Sequence, residues 1–337
     1  MSRGEAYGYA VARIRAMESL LFDAARYQRL LDADGIVGAI KIIGETNYAR
    51  GLTDDETAEQ YDSALEAELL ATFKEFQAFV PDRALIDIFR LPYDFHNVKA
   101  LLKGWFNAKT GGKRRWEILT PLGSISIDDL TVRIESEEYS LLPYGLSQIL
   151  PACVSAWEQT RDIVEVERLL DEGLFSAMIT LASSLGEPRV LGWVRARIDS
   201  ENIRNLLRLR RFGFDAAAAA PFLHGGGTID PMTLLSLLPE PYDAWGRMLA
   251  YFDIGAAVSS VQDDGSFDNL IVSLEKALDD YCQSRLANAR YSQNSPENVL
   301  AYLWGKEMEV KNIRTILVSK GTESDRDEVR RLMRHGY

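Results

Sequence analysis

Apolar residues recur every three or four positions along most of the chain, which is the spacing of one buried face of an α-helix. Residues 9–31 show it first, and we expect one continuous helical stripe there. Residues 54–79, 157–183 and 267–290 repeat the arrangement. Acidic residues at 54–56 complement the positive end of a helix dipole, so they predict a helix start near that point.

Alternation typical of β-strands is almost missing. Its best examples, residues 125–127 and 131–134, are too short to build a sheet. We instead expect a loop at Ile125 that leads into a helix capped near Ser126 and Asp128. The pattern therefore predicts an all-α protein.

One phrase occurs three times, and it reads acid-x-x-Asn-(β-branched)-base-x-(Leu/Ile)-Leu. Its asparagines are 105 and 110 residues apart, too far for a solenoid repeat of about 20 to 50 residues. The spacing suits three domain-sized units, residues 1–112, 113–225 and 226–337. The copies begin at Asp94, Asp199 and Glu309, and their asparagines are Asn97, Asn202 and Asn312.

Each unit is expected to hold a long helix, a short helix or turn, and a closing helix that carries the phrase. In the first unit Pro92 precedes the phrase, and proline is poorly tolerated inside a helix. We therefore expect a break or restart at Leu91. Glycine-containing stretches at 110–115, 212–215 and 225–227 should end helices, and the last of them is interpreted as a flexible turn.

The three asparagines carry the main structural hypothesis. Asparagine is unfavourable inside a helix unless its side chain has a partner. We expect each one to hydrogen-bond a backbone group where helices meet. The alternative is that the asparagines line a shared axial surface.

A basic strip follows the second phrase, because Arg204, Arg208 and Arg211 are spaced to share one helix face. Lys99 and Lys103 occupy the positions of Arg204 and Arg208 in the first copy. One interpretation is a solvated or ion-paired face. The other is a contact strip for an acidic partner helix.

Composition narrows the function classes. Hydrophobic residues make up 47% of the 337 residues and charged residues 26%, which is typical of a globular protein. The formal net charge of −12 argues against a nucleic-acid partner. Two cysteines in different units favour a reducing compartment. The N-terminus lacks signal-peptide features, and no apolar run reaches the ~18 residues of a membrane helix, so no direct membrane insertion is expected.

Catalytic motifs are missing from the sequence. There is no phosphate-binding loop, no dinucleotide fingerprint and no nucleophile elbow. His96, His224 and His335 are scattered, without the spacing of a metal site, and His96 is expected at the surface. We predict no catalytic residue, no cofactor and no metal.

With these features in place, the chain resembles the C subunit of bacterial and archaeal V/A-type rotary ATPases, the relative of the eukaryotic d subunit. The resemblance rests on residues 7–18, Tyr-Gly-Tyr-Ala-Val-Ala-Arg-Ile-Arg-Ala-Met-Glu, and on the threefold phrase. It implies three helical units around a pseudo-threefold axis, forming a funnel at the cytoplasmic face of the membrane rotor ring.

By the same resemblance, the partners are the central-shaft subunits and the proteolipid ring. The protein would transmit torque for proton or sodium transport and perform no chemistry. A free-standing helical adaptor outside any ATPase is the alternative. An enzyme is the remotest possibility, since its site would have to be assembled from scattered residues.

Overall fold

A computed structural model describes residues 3–52, 61–109, 111, 116–292, 294–322 and 324–336. Every regular element in these residues is helical, which confirms the all-α prediction. The α-helices, in chain order, are α1 (Arg3–Met17), α2 (Ala24–Asp32), α3 (Gly35–Gly44), α4 (Tyr61–Phe79), α5 (Ala84–Lys109), α6 (Ile127–Ser136), α7 (Leu146–Thr160), α8 (Ile163–Ser184), α9 (Pro188–Arg211), α10 (Ala216–Ala219), α11 (Pro231–Leu235), α12 (Tyr242–Met248), α13 (Gly255–Ser259), α14 (Phe267–Ser284), α15 (Glu297–Thr322) and α16 (Arg326–Leu332). Short 3-10 helices lie at Glu18–Leu20, Asn47–Gly51, Trp116–Ile118, Ala220–Phe222 and Ala289–Tyr291.

The chain divides into two compact units. One unit combines Met1–Arg83 with Glu240–Tyr337, and the other is Ala84–Pro239. These two units are defined by contacts, whereas the three units 1–112, 113–225 and 226–337 were defined by sequence repeats. The three-unit division stays a prediction.

In the unit formed by both ends of the chain, the 26-residue helix α15 lies at the centre. It packs against α1, α2, α3, α4, α14 and α16. Its buried face joins the N-terminal helices in one apolar cluster. That cluster contains Phe22, Tyr27, Leu30, Leu31, Ala39, Ile40, Ile43, Tyr48, Leu65, Val310, Ile313, Ile316, Leu317 and Val329.

In the unit Ala84–Pro239, α8 packs against α5, α7 and α9, while α6 packs on α5 and α11 on α9. Aromatic pairs join these helices. The rings of Phe89 and Trp193 are 5.2 Å apart between centroids, and those of Phe106 and Trp157 stack at 4.7 Å. Such pairs add to the stabilisation from area burial alone.

The order of elements expected for each unit is confirmed. A long helix precedes each phrase-bearing helix: α4 before α5, α8 before α9 and α14 before α15. The three phrases lie on α5, α9 and α15, and all three asparagines are fully buried. The loop at Ile125 and the helix that begins next to Ser126 are also as expected.

The break expected at Leu91 is wrong. Helix α5 continues through Pro92 over 26 residues. Proline inside a helix costs about 3 kcal/mol. The residues on both sides offset that cost, because Ile88, Phe89, Leu91 and Phe95 are all at most 1% exposed.

The single stripe expected over residues 9–31 is also wrong, since α1 ends at Met17 and α2 begins at Ala24. Asp23 caps α2 by accepting a hydrogen bond from the Arg26 amide N–H, which favours a new helix start there. Likewise, residues 157–183 belong to two helices, with Arg161 in the left-handed region and Asp162 capping α8. The helix start expected at residues 54–56, and most of the break at 110–115, lie outside the described residues.

Candidate functional site

Each phrase asparagine binds the backbone of a residue 22 or 23 positions further along the chain, through both atoms of its amide. Asn97 Nδ2 donates to the Thr120 carbonyl oxygen at 2.8 Å and Asn97 Oδ1 accepts from the Thr120 amide N–H at 2.9 Å. Asn202 does the same with His224, at 2.8 and 2.7 Å. The expected hydrogen bond to a backbone group is confirmed in these two copies.

The third copy has the same geometry. Asn312 Nδ2 donates to the Arg334 carbonyl oxygen at 3.0 Å, and Asn312 Oδ1 accepts from the Arg334 amide N–H at 2.8 Å. We call this motif the Asn–backbone pair. Since it leaves neither the buried amide side chain nor the backbone group without a partner, it explains why asparagine is retained inside three long helices.

The acid three residues before each asparagine holds a second point on the backbone. Asp94 accepts from the Ile125 amide N–H at 2.9 Å and from the Ser124 hydroxyl at 2.7 Å. Asp199 accepts from the Ile229 amide N–H at 3.1 Å and from the Thr228 amide N–H at 2.9 Å. We call each contact of an acid with such an amide a junction.

In the third copy the amide comes from the other end of the chain. Glu309 accepts a hydrogen bond from the Phe22 amide N–H, across 287 sequence positions. Its other oxygen accepts from the Tyr48 hydroxyl at 2.7 Å. The third junction therefore joins α15 to the segment in which α2 begins.

A helix starts two residues after the bound amide in all three junctions. Ile125 precedes α6, Ile229 precedes α11 and Phe22 precedes α2, each separated from its helix by one N-cap residue. Those N-caps are Ser126, Asp230 and Asp23. The acid of the phrase thus fixes the position at which the next helix begins.

Two glycines allow the backbone to approach the aspartates. A Cβ at Gly123 would overlap Asp94 Oδ1, and a Cβ at Gly227 would overlap Asp199 Oδ1. Residues 225–227 lie in a bend, as expected of a turn, and at Gly227 the absence of a side chain permits close contact with Asp199. A signal was present in the sequence: Gly-Ser-Ile-Ser at 123–126 matches Gly-Thr-Ile-Asp at 227–230.

Charged groups are buried around the third junction. Lys306 Nζ lies 2.8 Å from Glu309 Oε1 and 3.1 Å from Glu68 Oε1, and it also lies 4.5 Å from the centroid of the Tyr48 ring. Arg50 Nη1 is 3.8 Å from the other oxygen of Glu68. Lys306, Glu68 and Glu309 are each less than 5% exposed. Removal of one partner from such a cluster leaves a buried charge uncompensated.

Burial shifts the titration of several of these groups. It raises the pKa of Asp94 and of Asp199, and the hydrogen bonds from backbone amides oppose that shift. Burial, followed by the nearby Glu309 carboxylate, raises the pKa of Tyr48 well above its ordinary value. Tyr48 therefore acts as a hydrogen-bond donor to Glu309 in its neutral form.

The basic residues of the first phrase form ion pairs between helices. Lys99 Nζ lies 2.5 Å from Asp171 Oδ1, and Lys103 pairs with Glu167, so both bases of α5 bind acids of α8. In the third phrase, Arg314 of α15 binds Asp62 of α4 at 2.8 Å.

The basic strip of the second phrase divides into two parts. Arg204 is mostly buried and pairs with Glu201 of the same helix at 2.5 Å. Arg208 and Arg211 lie at the exposed end of α9. The ion pair of Arg204 and the exposure of Arg208 and Arg211 both fit the interpretation as a solvated or ion-paired face, and a contact with a partner stays a prediction.

The remaining candidate groups do not converge on a reaction centre. His96 and His335 are exposed, while His224 is buried and its ring packs against Phe175 at 4.5 Å. Cys153 and Cys282 are buried free thiols, and burial raises the pKa of Cys153 to about 12. Among the described residues, no group of three or more His, Cys, Asp or Glu side chains is arranged to hold a metal ion.

A groove of about 670 Å³ runs between α7 and α8. Gly173 and Ala177 form its floor, and Gln148 and Glu172 lie at its exposed rim. Of the helices in the described ranges, none has both the length and the apolar character needed to cross a membrane.

The fold and these contacts define a helical framework protein, in which repeated Asn–backbone pairs and junctions join long helices. The chain belongs to the ATP synthase (C/AC39) subunit family, whose model matches residues 10–332. The resemblance to the C subunit of V/A-type ATPases is thereby confirmed, and so is membership of an ATPase subunit family.

Curated relatives match over nearly their whole length. The C subunit of the V-type sodium ATPase of Enterococcus hirae is 25% identical, and the alignment covers 96% of this chain and 97% of that protein. The C subunit of the A-type ATP synthase of Thermococcus onnurineus is 27% identical, with 95% and 88% covered. That of Methanosarcina barkeri is 29% identical, with 94% and 89% covered.

Proposed function

We propose that this chain is a non-catalytic central-stalk subunit of a V/A-type rotary ATPase or ATP synthase. It acts as a socket between the central shaft and the membrane rotor ring, on the cytoplasmic side, and transmits torque for proton or sodium transport. Its three repeats surround a pseudo-threefold axis and form a funnel. The observation that carries the proposal is the family match over residues 10–332, together with ATPase and ATP synthase relatives of almost equal length.

The internal contacts suit a part that transmits force. A side chain that binds both the N–H and the C=O of one residue restrains that residue in position and in orientation. Asn97, Asn202 and Asn312 each restrain a return segment in this way. Close-packed protein interiors have low compressibility and transmit strain between elements. Torque applied at one helix would therefore reach its neighbours with little local yielding.

The exposed end of α9 is a candidate contact with the shaft or the ring. Arg208 and Arg211 present positive charge on a chain whose net charge is −12, and Phe212 beside them is 76% exposed. Arginine and aromatic side chains are enriched at the energetic centres of interfaces. An acidic partner segment with an apolar face would complement this end of the helix.

Co-purification from cells tests the complex. A tagged copy of the chain should recover a soluble ATPase head or a proteolipid ring under conditions that preserve membrane complexes. Recovery of the chain alone, or with proteins unrelated to ATPases, would favour the free-standing adaptor. Nucleotide turnover by the isolated chain would contradict the non-catalytic assignment.

Charge reversal tests the contact. The double variant R208E/R211E should reassemble with the shaft or ring at least about tenfold less efficiently, since like charges would oppose an acidic partner. The control is R189E, which reverses the charge of one exposed arginine at the other end of α9 and so makes half the total charge change. Wild-type reassembly by the double variant would remove this strip from the proposed contact.

A further inference from the structure

The structure assigns the N-terminal segment, residues 22–52, as the packing partner of the third phrase, the role that the segments beginning at Ile125 and Ile229 have for the first two phrases. The contact of this segment with α15 is then a noncovalent seam. The seam is the place where the folded chain opens first, before either of the other two junctions. This inference stands on the contacts of the chain itself and does not depend on the proposed function.

The three junctions are equivalent in geometry. In each, the acid three residues before the phrase asparagine binds the amide N–H two residues before a helix. The pairs are Asp94 with Ile125, Asp199 with Ile229 and Glu309 with Phe22. The helix that follows packs against the helix carrying the acid, as α6 on α5, α11 on α9 and α2 on α15.

Chain connectivity is what separates the third junction from the others. In the first two, the bound amide lies five residues after the residue held by the asparagine: Ile125 follows Thr120 and Ile229 follows His224. A short tether keeps the amide near its acid after the hydrogen bond breaks, because closing a short loop costs little entropy. Phe22 has no such tether to Arg334, the residue that Asn312 holds.

Packing holds the seam together in place of the tether. The apolar residues of the third phrase, Ile313, Ile316 and Leu317, are fully buried in one cluster with Phe22 and with the inner faces of α2 and α3. The N-terminal segment is thus the packing partner of this phrase.

Polar contacts bind α2 at both of its ends. Glu309 accepts from the Phe22 amide N–H just before α2 begins. At the other end, Lys320 Nζ donates to the carbonyl oxygens of Leu31 and Ala33, at 2.6 Å each. An acid at the first turn and a base at the last both complement the helix dipole. One helix, α15, supplies both groups.

The number of residues that become mobile should differ between loss of the Asp199 contact and loss of the Glu309 contact. Loss of the acid contact at Asp199 frees only a few residues, because Asn202 still holds the backbone of His224 five residues before Ile229. Loss of the contact at Glu309 weakens the attachment of the whole segment, which can then open as one cooperative unit. The extent of opening along the chain therefore distinguishes a seam from an ordinary local contact.

Amide hydrogen exchange on the full chain, read by mass spectrometry, tests this. In E309Q, residues 22–48 should exchange about tenfold faster as a block. In the matched control D199N, faster exchange should be confined to residues 224–231. Acceleration in E309Q that is limited to the neighbourhood of Phe22, or equally broad acceleration in D199N, would overturn the inference.

A second variant covers the case in which E309Q does not fold. Y48F removes one donor to Glu309 and leaves the Phe22 contact and the charge cluster in place. It should accelerate the same block, residues 22–48, to a smaller extent. Acceleration restricted to the residues beside Tyr48 would contradict the seam.

Discussion

The side chain of Asn202 and the backbone of His224 are joined by two antiparallel hydrogen bonds, although 22 residues separate them. Both groups are buried, so water cannot replace either bond. The pair fixes the segment that returns from the end of α9. The same pair forms between Asn97 and Thr120 and between Asn312 and Arg334, so this contact stabilises all three copies.

Replacement of Asn202 by alanine should destabilise the chain by about 2–4 kcal/mol, because a buried N–H and a buried C=O each lose their partner. Urea denaturation followed by circular dichroism measures this. Asn205 lies three residues further along α9 and is partly exposed, so N205A is the matched control. We expect the control to change stability by less than about 0.5 kcal/mol. Equal effects of the two substitutions would contradict a special role for the pair.

Gly227→Ala should destabilise the chain by about 1–3 kcal/mol. The added Cβ displaces the Asp199 carboxylate from the two amides that it holds, and overpacking a filled site carries a cost of that size. Gly225→Ala is the control, since a Cβ at Gly225 meets no atom within 4 Å. Thermal denaturation of the two variants should give clearly different midpoints. A normal midpoint for G227A would show that the junction accommodates a methyl group.

Lys306→Met should cost about 3–5 kcal/mol, because Glu309 and Glu68 would then face each other in the interior without the lysine between them, and Arg50 contacts Glu68 at the longer distance of 3.8 Å. Lys103→Met removes a lysine from the ion pair with Glu167, in which the lysine side chain is 46% exposed. That control should cost less than about 1 kcal/mol. Denaturant titration at constant salt compares them, and a small loss in K306M would mean that the two acids share a proton or rearrange.

The stability of the chain should fall as the pH drops below about 6.5, with His224 as one cause. Burial lowers the pKa of His224, so the unfolded chain binds the proton more tightly than the folded chain. The stabilisation is complete above the unfolded pKa of about 6.5 and is lost as the pH falls through the folded value. His224→Phe keeps the packing on Phe175 and removes the titration.

Urea denaturation at pH 7 and pH 5 provides the measurement. The difference between the two stabilities should be smaller in H224F than in the wild type, by up to about 1 kcal/mol for every tenfold weakening of proton binding to the folded imidazole. The backbone of residue 224 still pairs with Asn202 in both proteins, so the comparison isolates the imidazole. An unchanged difference would show that His224 is protonated in the folded chain at no cost.

The long helices could be predicted from the sequence because their periodicity is local. The backbone partner of Asn97, Asn202 and Asn312 could be anticipated as a class, since a buried asparagine needs one. Its identity could not, because no local signal connects Asn202 to His224. At Pro92 a local signal was present but misleading. Local propensity predicted a break, whereas packing on both sides of the residue keeps α5 continuous.

The junctions were only partly accessible to sequence reasoning. Gly-Ser-Ile-Ser and Gly-Thr-Ile-Asp form a second repeated signal, at 123–126 and 227–230, which reports the close approach of backbone to aspartate. In the third junction the corresponding segment is Leu-Leu-Phe-Asp at 20–23, which has no glycine. Its acid is Glu309, whose side chain is longer than that of aspartate. A contact between Glu309 and Phe22 depends on tertiary packing alone, and composition or periodicity carries no trace of it.

Each of the three repeats, residues 1–112, 113–225 and 226–337, contains one phrase acid and one bound amide, and these two groups belong to different junctions. A single repeat made as a separate polypeptide would thus offer a donor at one end and an acceptor at the other. Contacts of that kind are heterologous, and they join copies head to tail, either into a closed cyclic oligomer or into an open filament. This chain carries all three repeats in one polypeptide, so the chain bridges two of its junctions and does not bridge the third, between Glu309 and Phe22.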